Sequence, residues 1–261
     1  MLRSLYTAAT GMSAQELKMS VSAHNLANTN TVGFKKVRAE FEDLLSERLR
    51  TAEAPDGRGG ARPAPLEVGL GVRAGATTRS LEQGDMMNTN NPLDVAIEGR
   101  GFLRVVRRDG TYGFTRAGNL RVDADGRMVT QAGLTLDPDI RVPDDASEIR
   151  IKPDGVVLAT VPGRDEPVEV GAIELALFTN PAGLTSLGGN LLEATPASGV
   201  ARMVPPGEEG AGQLAQGYLE GANVKAVEEM IGLITTQRAY EMSSKVVQTA
   251  DEMLQRLSQV G

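Results

Sequence analysis

Apolar residues seven apart mark both ends of this chain: Leu5, Met12, Met19 and Leu26 at one, Leu233, Tyr240, Val247 and Leu254 at the other. A stripe with that period is narrow, and a helix buries it best against another helix. Ala9 and Ala23, four residues after Leu5 and Met19, add a secondary row to the first stripe, and Glu16 interrupts that row. Ala239, Val246, Met253 and Val260 run beside the second, with Ala250 and Leu257 completing the face. The spacing predicts a first helix from Leu2 to Ala27, stopped by the turn formers Asn28 to Gly33. It predicts a last helix starting near Asn223 as N-cap, with Glu228 and Glu229 in its first turn. About 35 residues at 1.5 Å each make that helix roughly 50 Å long. Either the two ends form a flap on the middle of the chain or they form a terminal coiled coil. The narrow seam favours the coiled coil.

The middle has a different character. Most of the 30 Gly and 13 Pro lie there. Three Asp-Gly pairs, Asp109-Gly110, Asp125-Gly126 and Asp154-Gly155, each separate alternating or β-branched runs, which is a hairpin signal. Further strands are expected at 168–179 and around 213–220. Residues 51–65, rich in Ala, Gly, Pro and charge, read as an extended excursion. The fold class is therefore α+β: paired N- and C-terminal coiled-coil helices flanking a central all-β domain with an extended β-hairpin-like segment. The expected parts are 1–36 with 223–261 as the helical domain, 37–94 with about 205–222 as a connecting region, and 95–204 as the β domain.

Composition removes most catalytic chemistry. The chain lacks Cys and Trp and has a single histidine, His24. Thiolate nucleophiles, disulfides and multi-histidine metal sites are excluded. The net charge of −7 argues against general nucleic-acid binding. It is uneven, with +3 in residues 1–36, −1 in 223–261 and −9 between them. Asp123-Ala124-Asp125-Gly126 opens like a calcium loop, but Met128 and Val129 stand where later ligands should follow, so it reads as a turn. Gly99-Arg100-Gly101 and Gly69-Leu70-Gly71 lack the context of a dinucleotide site. Carboxylate pairs such as Asp144-Asp145 and Glu208-Glu209 fall in loops, a poor basis for glycoside hydrolysis. The expectation is no enzyme, no cofactor and no metal. Polar residues recur after Met1, so neither a cleaved secretory signal nor a membrane span is expected.

Three blocks carry a resemblance. The first runs from Ser22 to Lys36 and includes Asn25, Leu26, Asn28, Asn30, Thr31, Gly33, Phe34 and Lys35. The second is Asn91 to Phe102. The third is Thr236 to Lys245, with Arg238, Ala239 and Tyr240, followed by Ala250 to Leu254. Together they resemble the signatures of the bacterial flagellar rod and hook family, in order and over the whole chain. His24, Thr29 and Ser243 stand where that family often has Asn, Val and Asn. The segment 46–66, placed between Phe41-Glu42-Asp43-Leu44-Leu45 and Val68-Gly69-Leu70-Gly71-Val72, is similar to one found in distal-rod members.

The resemblance implies a structural subunit that polymerises with itself into a helical drive shaft crossing the periplasm. It implies export without a cleaved signal by the flagellar export apparatus. It also implies contacts with proximal rod and hook-side axial proteins and with the surrounding basal-body rings. Neither nucleic-acid binding nor membrane insertion is expected. The terminal seam would serve assembly. Gly57, Gly59, Gly60, Pro63 and Pro65 would shape a rod-stiffening segment, the glycines allowing a reversal and the prolines stiffening its end. The alternatives are a sister axial subunit (proximal rod or hook) and, remotely, a carbohydrate-active enzyme.

Overall fold

The computed structural model describes residues 2–50, 65–164 and 166–260. An N-terminal helix and a C-terminal helix bracket a mostly β middle, so the fold is α+β. Helix α1 spans Leu2–Ala27 and helix α2 spans Ala226–Val260. The chain divides into two compact units. One comprises Met1–Leu26, Val37–Thr78 and Lys225–Gly261; the other comprises Ala27–Lys36 and Arg79–Val224. The chain therefore passes between units after Leu26, Lys36, Thr78 and Val224.

In the helical unit, strand Val37–Asp43 pairs with Val72–Arg79, and Glu47–Arg50 pairs antiparallel with Leu66–Val68. The second pair joins the two ends of the 46–66 segment. Gly57, Gly59, Gly60 and Pro63 lie outside the described residues; Pro65 is exposed. The two long helices approach each other antiparallel and through small residues. A Cβ on Gly11 would stand 3.8 Å from Ser243 Oγ, and one on Gly232 would stand 3.9 Å from Ser22 Oγ.

In the β unit, strand Phe102–Val106 is central. It pairs with Tyr112–Thr115, Thr135–Asp137 and Leu175–Leu177. Its alternation feeds two cores. Leu103 and Val105 join Val95, Ile97, Met128 and Leu136, all essentially inaccessible. Phe102 turns to the other cluster, where Phe178 meets Phe102 and Phe114 edge-on at 6.0 and 4.8 Å.

The Asp-Gly pairs at 109–110, 125–126 and 154–155 all close hairpins. Gly110, Gly126 and Gly155 have φ of 81°, 77° and 91°, and each donates its N–H to the carbonyl three residues back. This is a type I turn ended by a left-handed glycine. Asp123 Oδ1 accepts from the amides of Asp125 and Arg127 at 2.9 and 2.8 Å, so its carboxylate serves the turn.

Candidate functional site

The signature residues 25–36 lie where the chain passes between units, and each side of that passage has its own hydrogen-bonding device. On the helical side, the Asn25 amide brackets Val37. Its Nδ2 donates to Val37 O at 2.8 Å, and its Oδ1 accepts from Val37 N at 2.9 Å. One side chain thereby pairs like a neighbouring strand. Asn25 is 1% exposed, as a fully satisfied buried amide should be.

On the β side, Asn223 does similar work. Its Oδ1 accepts from Lys36 N at 2.7 Å, and its Nδ2 donates to Ser80 O and Glu82 O at 3.1 and 2.9 Å. Lys36 O accepts in turn from Ser80 N at 2.8 Å. Thr29 Oγ1 reaches Val224 O at 3.4 Å. This corrects the expected N-cap: Asn223 is spent on clamping three chain segments, and α2 begins later, at Ala226. Glu228 and Glu229 still fall in its first turn.

Below Asn223 lies a buried charge cluster that local sequence pattern did not disclose. Glu220 is fully buried and accepts from Lys35 Nζ at 2.5 Å and from the Arg116 guanidinium at 3.2 Å. Gly84 N adds a third bond at 3.0 Å, and Lys35 Nζ also donates to Glu82 O at 2.6 Å. Arg116 donates to Gly99 O at 2.7 Å. One carboxylate thus serves two cations. Burial pushes the Lys35 ammonium below the usual lysine range, and the bond to Glu220 opposes that shift. Burial also lowers Arg116, with Glu220 again opposing.

Gly33 completes the turn. Its φ is +68°, and its N–H donates to Glu220 O at 2.7 Å. A Cβ there would fall 2.6 Å from the backbone of both Arg116 and Ala117. Gly33→Ala should therefore cost at least the ~1–3 kcal/mol of an unfavourable backbone conformation, and more from the clash. A urea titration of the purified chain should show a lower midpoint with an unchanged slope. A wild-type midpoint would mean the turn can relax freely. Thr31 and Asn28 close this turn through Thr31 N to Asn28 O at 3.0 Å, Phe34 is buried, and Asn30 is exposed.

The seam residues occupy intermediate positions. Leu5, Met12, Met19, Leu26, Leu233, Val247 and Leu254 are half-buried, while Tyr240 is 39% exposed. The most enclosed positions are small or polar: Ala14, Ser22 and Asn25 on α1, and Glu229, Thr236 and Ala250 on α2. A separate strip of α2 is open, made by Val227, Ile231, Ile234, Met242, Val246 and Met253, each at least half exposed. Arg238 and Tyr240 are exposed, and Ala239 is half-buried. The side chains of Leu257 and Val260 lie outside the described ones. Among the described residues no helix is long and apolar enough to cross a membrane.

Comparison with known proteins covers both ends and the middle. Residues 5–35 match the family model for flagella basal body rod proteins. Residues 96–159 match the D1 domain of flagellar hook proteins FlgE/F/G, and 215–260 match the C-terminal region of flagellar basal body rod FlgEFG proteins. The flagellar basal-body rod protein FlgG of Caulobacter vibrioides is 45% identical over 260 residues, 99% of each chain. That of Borreliella burgdorferi is 45% identical over 256 residues, 97% of each. The flagellar hook protein FlgE of Helicobacter pylori is 42% identical over 137 residues, which is 52% of this chain and 19% of that one.

Proposed function

We propose, on the premise that this chain belongs to the flagellar basal-body rod and hook protein family, that it polymerises helically into the distal rod and carries torque from motor to hook. The chain is a structural subunit of the basal-body rod, in a family of structural proteins rather than enzymes. The observation that carries the finer reading is the likeness to rod proteins over 99% of both chains, extra segment included. The match to a hook protein is confined to about half of the chain. A sister axial subunit is therefore the weaker reading.

In this proposal the terminal helices pair as a coiled coil through the seam and stack against neighbouring copies. The three parts 1–36 with 223–261, 37–94 with about 205–222, and 95–204 act as a terminal helical domain, a connecting region and a central β domain. The buried Glu220 cluster and the Asn25 and Asn223 brackets suit such a subunit. Each bracket ties chain segments together within its own unit, which stiffens that unit against load. Export without a cleaved signal, a periplasmic position, and contacts with proximal rod, hook-side proteins and rings belong to the same proposal.

Electron microscopy of basal bodies from a strain lacking this chain tests it. Rods should stop short of the hook and regain full length when the gene is restored. Full-length rods in the deletion strain would overturn the assignment. The 46–66 segment has its own expected result. The pairing at its two ends suits a reach onto adjacent subunits that locks their spacing. Deleting Glu53–Pro63 should leave polymerisation intact but yield curved rods. Straight rods of normal stiffness would remove the mechanical role.

A further inference from the structure

The β unit carries a cavity of about 360 Å³ with Leu81, Phe102, Ala176, Phe178 and Pro181 among its lining residues. That size and apolar character suit a small apolar group held by a few polar ones. Two arginines border the cavity, and their states differ. Arg116 is buried and committed to Glu220 and Gly99, with its guanidinium 5.3 Å from the centre of the Phe102 ring. Arg100 is exposed, and among the described residues it has no ion-pair partner. The cavity is thus an apolar hole with an uncommitted cation at its edge.

Elsewhere the chain displays a matching knob. Leu45 is 87% exposed, between strands Val37–Asp43 and Glu47–Arg50. A leucine so far into solvent gains nothing in the single chain. It has a carboxylate two residues away on either side. Glu47 is held by Arg3 at 2.7 Å, whereas Asp43 is exposed and without an ion-pair partner among the described residues. Among the described residues Val200 is the other large apolar side chain as exposed, at 91%. It has no acidic residue within three positions and has Arg202 close by, so it is the wrong partner for Arg100.

We propose that this cavity is a socket for Leu45 of a second copy of the chain, with Asp43 of that copy pairing with Arg100 at the rim. The inference rests on the rod-subunit reading, since a polymer is what brings copies together repeatedly. The geometry agrees with an open assembly. Knob and socket are different patches, so the contact is head-to-tail, the kind that can repeat without closing.

The chain contains no cysteine, so paired substitutions give a clean test. One copy with Leu45→Cys and another with Pro181→Cys are co-expressed in the deletion strain, and assembled rods are mildly oxidised. A disulfide-linked dimer is expected for that mixture and not for Val200→Cys with Pro181→Cys. Rods that assemble without the Leu45–Pro181 dimer would overturn the socket while leaving the rod reading standing. A deletion strain with normal rods would overturn the rod reading itself. Charge exchange is the second readout, in case cysteine weakens the knob. Asp43→Arg should shrink swarming motility at least several-fold, and Arg100→Asp in the same chain should restore most of it. Failure of the exchange to restore motility, with both single variants exported and folded, would also overturn the proposal.

Discussion

Replacing Glu220 with glutamine should destabilise the β unit by about 3–5 kcal/mol, the usual cost of leaving buried charge uncompensated. The carboxylate stands between Lys35 and Arg116 and accepts a third bond from Gly84 N. Glutamine keeps the shape but removes the buried anion, so two buried cations are left with only the exposed Glu82 carboxylate near Lys35. Lys35→Met should behave differently. It leaves one carboxylate facing one guanidinium, a balanced pair, and removes a charge whose burial outweighs its pairing. Its cost should be about half or less of that for Glu220→Gln. Urea denaturation of both variants checks the ratio, and equal losses would show that the cluster does not act through charge balance. The pH dependence has a definite sign. The folded pKa of Lys35 lies below its ordinary 10.5, so the unfolded chain binds more protons in the interval between the two values. Stability from this group therefore rises as pH climbs through that interval, and Lys35→Met should abolish the rise.

That cluster also shows where sequence reasoning reaches its limit. Lys35 and Glu220 are 185 positions apart, and nothing in Tyr218-Leu219-Glu220 distinguishes a buried glutamate from a solvated one. Arg116 was equally silent. Local physics was readable by contrast. A stripe of period 3.5 followed by Asn-Thr-Asn-Thr gave α1 its span, and Asp-Gly between β-branched runs gave three hairpins, because each signal is complete within a few residues. Asn223 misled for a physical reason. A short amide that caps a helix is equally suited to bridging strands, and the choice depends on Lys36, Ser80 and Glu82, which arrive from elsewhere. The seam was legible as a pattern but not as a ranking. Leu233, Val247 and Leu254 are half-buried, while Ser22, Thr236 and Ala250 take the most enclosed places. A periodic stripe identifies a face; it does not say how closely a neighbour approaches.

Aspartate at Ile234 should abolish rod assembly while leaving the folded β unit untouched. Ile234 belongs to the open strip with Val227, Ile231, Met242, Val246 and Met253, spaced so that all six share one side of α2. In the single chain Ile234 is 53% exposed, and a surface change of this kind is worth within about 0.5 kcal/mol. In a rod whose helices stack against those of neighbouring copies, the same carboxylate would be buried without a partner in every subunit. An unpaired buried charge is too costly to be tolerated at each contact of a repeating lattice. Val247→Asp and Leu254→Asp place the charge instead on the half-buried seam, so they should disturb the pairing of the two terminal helices as well as the stacking. The three variants therefore separate two surfaces. Export, the thermal midpoint of the β unit and rod formation by electron microscopy are measured together. Ile234→Asp should keep the first two and lose the third. Normal rods from Ile234→Asp would mean that the open strip faces solvent in the assembly, leaving the seam as the surface on which the rod is built.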